Sequence, residues 1–286
     1  MQNLMNKDFY PEDMQETILC NKIKEIKNSE EISKFLKDVE YLLKDKTEIF
    51  AYRIKEPFSA IRTYRLANYK NANKLHDLIG ILIVVDKVEE IENIEKIIKE
   101  KVEVDNIKIY NLLNEKEFEL RHYKKLKDVE ASKYNELIFE DISKWIYIPN
   151  DLNILLPPFS YNMLCKKKFN SIDYEIPIEI RIQTKEDFIT TESYYYTIHK
   201  NDNLQINVKI PLLCMSFRIL RRMSNIAFED NIEMIEKYKR EIEQIKNENI
   251  DFIEENKENF EYVLSEHSKI INCWKNKLDI YQFKRN

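Results

Sequence analysis

Ile176-Pro-Ile-Glu179-Ile-Arg181-Ile-Gln183-Thr184 runs straight into Lys185-Glu-Asp-Phe-Ile-Thr-Thr-Glu192-Ser-Tyr-Tyr-Tyr-Thr-Ile-His199-Lys200. The first half alternates at period two. Ile178, Ile180 and Ile182 fall on one side of a strand, and Glu179, Arg181 and Gln183 on the other. With Ile176 they make an apolar face for a core, and the opposite face carries an acid, a base and an amide in a row. Thr184 is positioned to cap a helix whose first turn holds Glu186 and Asp187. That helix carries Glu192 and His199. Two readings are open at this point. One is a half-exposed edge strand with a solvated face. The other is a strand and helix that present five polar groups to a single site.

Composition narrows the function classes. The chain has 286 residues, 34% of them charged and 43% hydrophobic, enough for one large domain with helical additions. A net charge of -5 gives no general basic field for nucleic acid or an anionic membrane, though a local basic cleft is compatible with it. The one glycine, Gly80, excludes glycine-rich phosphate loops, which need several. Any phosphate must therefore be held by side chains and metal. Cys20, Cys165, Cys214 and Cys273 suggest neither a zinc knuckle nor a disulfide framework. No apolar run follows Met1, and no uncharged apolar run approaches a membrane span. The expectation is a reduced, cytoplasmic protein without a membrane partner.

The chain divides into 1–45, two N-terminal helices; 46–205, a mixed α/β domain; and 206–286, a helical region. Residues 11–27 read as a helix with Pro11 in its first turn, and Ser29 caps a second helix with the stripe Ile32, Phe35, Leu36, Val39, Leu42 and Leu43. In Arg53-Ile-Lys55-Glu-Pro57-Phe-Ser59, Pro57 breaks any incoming helix and Ser59 caps a new one carrying Arg62 and Arg65. Basic residues around a helix start grip an anion or form a solvated turn, and both readings stand. His76-Asp77-Leu-Ile-Gly80-Ile-Leu-Ile-Val-Val reads as a buried central strand with an acid before it, Gly80 marking close approach of a backbone or ligand. His76-Asp77 alone does not make a metal-dependent hydrolase, which needs further ligands. A helix over 88–101 and a strand over 102–112 follow. Residues 114–150 read as an insertion or lid. Tyr161 enters a strand that leads to Lys166-Lys-Lys168, and is either a stacking platform for a base or ordinary core. A helix from Val208 to Phe228 precedes a longer one capped by Asp230. Its stripe of Ile235, Tyr238, Ile242, Ile245 and Phe252 suits a helix pair, a self-association surface, or packing on the core.

In this order the segments resemble the synthetase domain of the RelA/SpoT alarmone family, the GTP pyrophosphokinases, over about residues 46–200. Arg53-x-Lys55-x-x-x-Ser59 resembles the family's ATP-side motif, and Asp77-Leu-Ile-Gly80-Ile its metal-binding strand. Ser160-Tyr161-Asn-Met-Leu-Cys165 resembles the loop whose tyrosine stacks on guanine. Glu179-Ile-Arg-Ile-Gln-Thr184 resembles the strand with the catalytic glutamate, and Glu192 with His199-Lys200 the helix after it. The resemblance implies a mixed sheet of nucleotidyltransferase-like synthetase type, flanked by helices, with N- and C-terminal helical extensions.

It further implies that ATP is held by Arg53, Lys55, Ser59 and Arg62, and the acceptor GDP or GTP by Tyr161, Arg181, Gln183, Glu192 and His199. Magnesium is expected on Asp77 and Glu179, the two catalytic carboxylates, with the guanosine 3′-hydroxyl attacking the β-phosphorus of ATP. These residue types suit that chemistry. A triphosphate needs cations. Magnesium takes few carboxylates, and phosphoryl-type transfer rests on positioning and charge neutralisation.

The pattern also departs from the family. Leu82 stands where the family has an arginine, Thr63 for a lysine beside Arg62, Ser160 for a glycine and Cys165 for a histidine. Arg181 and Gln183 are exchanged, which moves a charge by roughly 7 Å along one face. Two alternatives to alarmone synthesis follow. One is modification of another 3′-hydroxyl, on an adenine nucleotide or a tRNA end that meets Lys166–Lys168. The other is a non-catalytic nucleotide sensor or partner-binding protein. Self-association through the C-terminal helices is compatible with all three.

Overall fold

The computed structural model describes residues 11–66, 71–75, 77–110, 161–194, 197–198, 201 and 203–276. His76, Ser160, His199, Lys200 and the expected insertion at 114–150 lie outside them. The described residues fall into two compact units, 11–110 with 161–184 and 185–276. The division thus comes after Thr184, where the sequence reading drew it at 205, and the N-terminal helices belong to the unit of the sheet.

The first unit is a mixed sheet flanked by helices. Its strands are β1 (Ile49–Ile54), β2 (Ile79–Val85), β3 (Asp105–Tyr110), β4 (Tyr161–Lys168) and β5 (Glu175–Thr184), in the order β1-β2-β5-β4-β3. β2 and β5 are parallel, and the other neighbours are antiparallel. β5 is therefore the middle strand and not an edge. Its alternation survives for a different reason than solvation: Ile178, Ile180 and Ile182 pack under helices, while Glu179 and Gln183 are buried on the other face, at 7% and 1% exposure.

Among the described residues four helices join these strands. They are α1 (Met14–Asn28), α2 (Glu30–Leu43), α3 (Pro57–Leu66) and α4 (Val88–Lys101). Leu19, Ile23 and Ile26 of α1, Leu36 and Val39 of α2, and Ile91, Ile94 and Ile98 of α4 form one core with the isoleucines of β2 and β5. Each such side chain contributes about 1.5–3 kcal/mol on full burial. Ser29 caps α2 as expected, its hydroxyl accepting from the Ile32 amide at 3.3 Å. Two starts differ. α1 begins at Met14, because the Asp13 carboxylate accepts from the Glu16 amide at 2.8 Å and makes a stronger cap than anything beside Pro11. α3 begins at Pro57, whose fixed φ suits the first helical position, so Ser59 lies inside the first turn and is not the cap.

The second unit is helical: α5 (Lys185–Tyr194), α6 (Ile206–Phe228), α7 (Ile232–Glu248), α8 (Ile250–Glu255) and α9 (Lys257–Lys275). Tyr194, Leu212, Leu213, Phe217 and Leu220 share a core with Ile242 and Ile245 of α7 and Phe260 and Val263 of α9. Ile242 and Ile245 of the expected stripe thus pack within this bundle, as does Phe252, which lies on α8. Asn231, one residue after the expected Asp230, caps α7 by accepting from the Glu233 amide at 2.9 Å.

A buried polar cluster crosses this bundle. His267 of α9 is fully buried, with Nδ1 2.7 Å from the Ser193 hydroxyl of α5 and Nε2 3.2 Å from the Ser224 hydroxyl of α6. Ser224 in turn lies 3.0 Å from the Thr190 hydroxyl of α5. Burial holds the imidazole neutral, lowering its pKa to about 4, with the Leu220 carbonyl opposing. Among the described residues no helix is long and apolar enough to cross a membrane.

Candidate active site

The polar face of β5 continues across its neighbours because paired residues in adjacent strands point the same way. One row reads Arg53 (β1), Gly80 (β2), Glu179 (β5) and Leu164 (β4). The next reads Ala51, Leu82, Arg181 and Asn162, and the third Ile49, Val84 and Gln183. Arg53, Glu179, Arg181 and Gln183, scattered over 130 residues of sequence, thus share one face of three adjacent strands.

Gly80 lies under a side chain of the neighbouring strand. The Arg53 side chain crosses it, and a Cβ there would lie 3.4 Å from Arg53 Nε and 3.5 Å from Cγ. The close approach expected at this position is therefore a side chain from β1. Arg53 is exposed, and it lies across the residue paired with Glu179.

Lys55 and Asp77 sit just outside β1 and β2. The Lys55 amide donates to the Leu78 carbonyl at 2.9 Å, which extends the β1–β2 pairing past the strand ends. The Lys55 ammonium, almost wholly buried, makes a short ion pair with the Asp77 carboxylate. Burial alone would push the Asp77 carboxyl up, but the charges of Lys55 and then Arg53 outweigh it and hold Asp77 below the ordinary carboxylate range. Asp77 is ionised at neutral pH and framed by two cations.

On β5, Arg181 Nη2 lies 3.4 Å from Glu179 Oε1, two residues away on the same face. Asn162, fully buried on β4, pairs with Arg181 in the register and adds an amide to this face. It was not singled out from the sequence. The only signal for it was its parity, one residue after Tyr161.

Other expected residues lie elsewhere. Tyr161 pairs with Ile182 and so belongs to the isoleucine face, where its hydroxyl donates to Glu95 of α4. Burial first and Glu95 second push the pKa of that hydroxyl up. A ring held there cannot stack over the Glu179 row on the opposite face. Cys165 points the same way as Tyr161, its thiol 3.5 Å from the Ile178 carbonyl and pushed up to about 12 by burial. Ser59 and Arg62 are exposed on α3, outside the rows of the sheet. Arg65 is drawn away from any anion site by Glu16, which it grips at 2.6 Å through Nε and 2.8 Å through Nη2. Glu192 is half-buried on α5, in the second unit.

The lysine run forms the end of β4. Lys166 lies 3.3 Å from Glu175. Lys167 donates to the Glu103 carbonyl at 2.5 Å and lies over the rings of Phe35 and Phe169.

Among the described residues no three His, Cys, Asp or Glu side chains gather as a metal nest. Magnesium does not need three. It binds through one or two carboxylates and completes its shell with phosphate and water. Asp77, kept ionised, precedes β2, and Glu179 lies on the neighbouring β5; they are the two carboxylates on which the resemblance expects it.

No protein-family model matches the chain, and no curated protein matches it. Among solved structures it is similar to a GTP pyrophosphokinase family protein from Streptococcus pneumoniae, with 14% identity and a TM-score of 0.41 over 79% of this chain and 92% of that one. It is similar also to the small alarmone synthetase 1 from Bacillus subtilis bound to its product pppGpp, with 13% identity and a TM-score of 0.43 over 74% and 94% of the two chains. A second structure of that synthetase gives 14% identity and a TM-score of 0.42 over 78% and 95%. At these identities the likeness transfers no role to any residue.

Proposed function

We propose that this chain is a cytoplasmic, ATP-dependent pyrophosphokinase that moves the β,γ-pyrophosphate of ATP to the 3′-hydroxyl of GDP or GTP. The observation that carries the reading is the gathering of Arg53, Glu179, Arg181 and Gln183 on one sheet face, with the Lys55–Asp77 pair adjoining it. Cations and carboxylates brought together on and beside one sheet face suit a wall for a charged, phosphate-bearing ligand.

In this reading Arg53, Lys55 and Arg62 neutralise the triphosphate, with Ser59 beside them. Glu179 accepts the proton of the attacking 3′-hydroxyl as its oxygen bonds to the β-phosphorus. The bond from that phosphorus to the α,β-bridging oxygen breaks, and AMP leaves with the electron pair. The resemblance assigns Arg181, Gln183, Glu192 and His199 to the acceptor. Asp77 and Glu179 would hold magnesium, which supplies charge neutralisation on the transferred phosphates.

The test is turnover. Purified protein is incubated with magnesium, ATP and either GDP or GTP, and the products are separated by anion exchange. AMP in step with a more phosphorylated guanosine is expected, and Glu179→Gln should slow the reaction about 10²–10⁴-fold. No AMP with any nucleotide acceptor overturns the reading.

One observation favours a second reading. Tyr161, bonded to Glu95, is not available to stack on an acceptor base over the Glu179 row. Without that stack nothing in the Glu179 row selects guanine, and an adenine nucleotide serves equally well as acceptor. A tRNA end fits less well, because Lys166 and Lys167 already have partners. AMP formation with ADP in place of GDP selects this reading, and nucleotide binding without turnover selects a sensor.

A further inference from the structure

Both carboxylates assigned to the candidate centre are paired with cations of the chain itself, Asp77 with Lys55 and Glu179 with Arg181. Arg53 adds a third cation, lying over Gly80 and felt at Asp77. Among these five groups the cations exceed the carboxylates by one charge.

A bare divalent cation entering here meets three cations of the chain, and its two oxygen ligands must first be released from ion pairs. A metal–triphosphate complex is different. Its net charge is negative, and its phosphate oxygens offer the ammonium and the two guanidinium groups better partners than the carboxylates they leave. Each carboxylate is then freed for the metal as its cation turns to phosphate. Exchange of partners, with no change of fold, is enough to couple the two binding events.

We infer that Lys55 and Arg181 are positioning residues that admit the metal only together with a nucleoside polyphosphate. They hold Asp77 and Glu179 closed to free divalent cations and open them when phosphate arrives. This rests on the pyrophosphokinase reading and adds an order to it: metal and triphosphate enter as one unit. By linkage, whatever factor the nucleotide adds to metal affinity, the metal adds to nucleotide affinity.

The test is a binding titration that does not depend on turnover. Free Mn²⁺ is followed by electron paramagnetic resonance against the full-length protein, alone and with α,β-methylene ATP. Wild type should bind Mn²⁺ on the order of 5–150-fold more tightly with the analogue than without, beyond what the analogue binds by itself. Lys55→Met and Arg181→Gln should raise affinity for Mn²⁺ alone and lower affinity for the Mn²⁺–analogue complex. A merely structural role would lower both. Circular dichroism checks that the variants fold, and the wild-type titration stands without them. Equal Mn²⁺ affinity with and without analogue, or variants that weaken both, overturns the inference and leaves the proposed activity standing. Absence of binding under either condition overturns the inference and the activity together.

Discussion

Lowering the pH from 8 to 5 is expected to remove about 2 kcal/mol of stability through a single side chain, His267. Its imidazole is enclosed by α5, α6 and α9, with hydroxyls of Ser193 and Ser224 at its two nitrogens, and burial lowers its pKa from the ordinary 6.5 to about 4. The folded value lies below the unfolded one, so the unfolded chain binds the extra proton. The contribution is therefore complete above pH 6.5 and is lost as pH falls, levelling off below about 4. Over the whole window that is roughly 3 kcal/mol, of which about two-thirds is gone by pH 5.

Urea unfolding of the full chain, followed by far-UV circular dichroism at several pH values, measures this. Other groups titrate as well, so the informative quantity is the difference from His267→Gln, which keeps an amide in the cluster but takes no proton. At pH 8 the variant should be less stable by about 1 kcal/mol, the worth of one hydrogen bond. The two stabilities should cross near pH 6, and at pH 5 the variant should be the more stable by about 1 kcal/mol. Parallel stability curves for the two proteins would refute the argument, because they would mean that His267 has the same proton affinity folded and unfolded.

The Glu16–Arg65 clamp between α1 and α3 predicts that Glu16→Ala costs about 2–3 kcal/mol, near the lower end for a broken buried pair because Arg65 keeps some water contact. Denaturant midpoints measure it, and a loss within about 0.5 kcal/mol would mean the pair is worth no more than a surface bridge. At Gly80 a single methyl meets Arg53 at ordinary contact distance. Gly80→Ala should therefore keep nucleotide binding and gain some of the roughly 0.5–1 kcal/mol that glycine forfeits in a strand. Gly80→Val should displace Arg53 and weaken binding of the ATP analogue, with little change in melting temperature. Equal binding by the two variants would show that Arg53 does not need the space over Gly80.

Much of the fold was legible from local pattern. The alternation of Ile178 to Gln183, the stripe of 88–101 and the Ser29 cap depend on neighbours within one turn or one strand, and each appears in the structure where the residues indicate. Helix starts were less legible, because two caps compete within a few residues. Asp13 prevails over the Pro11 turn, and Pro57 precedes Ser59. The motif residues Arg53, Lys55, Asp77, Glu179, Arg181 and Gln183 were legible as a set, and parallel pairing of β2 with β5 brings their strands side by side.

The face each residue occupies could not be read in the same way. Tyr161 and Asn162 are adjacent, and nothing near them says which one joins the Glu179 row. That depends on the register of β4 against β5, which pairs Tyr161 with Ile182 and Asn162 with Arg181. A slip of one residue would exchange them. Arg65 looked as suitable for an anion as Arg62 until α1 brought Glu16 to it. His267 shows no pattern at all, since its partners come from α5 and α6, more than 40 residues away. Alternation, stripes and caps arise from interactions a few residues apart, and the sequence carries them locally. Which polar group is buried, which is paired and which is left facing a ligand arises from contacts between distant segments, and these exist only once the register and the packing do.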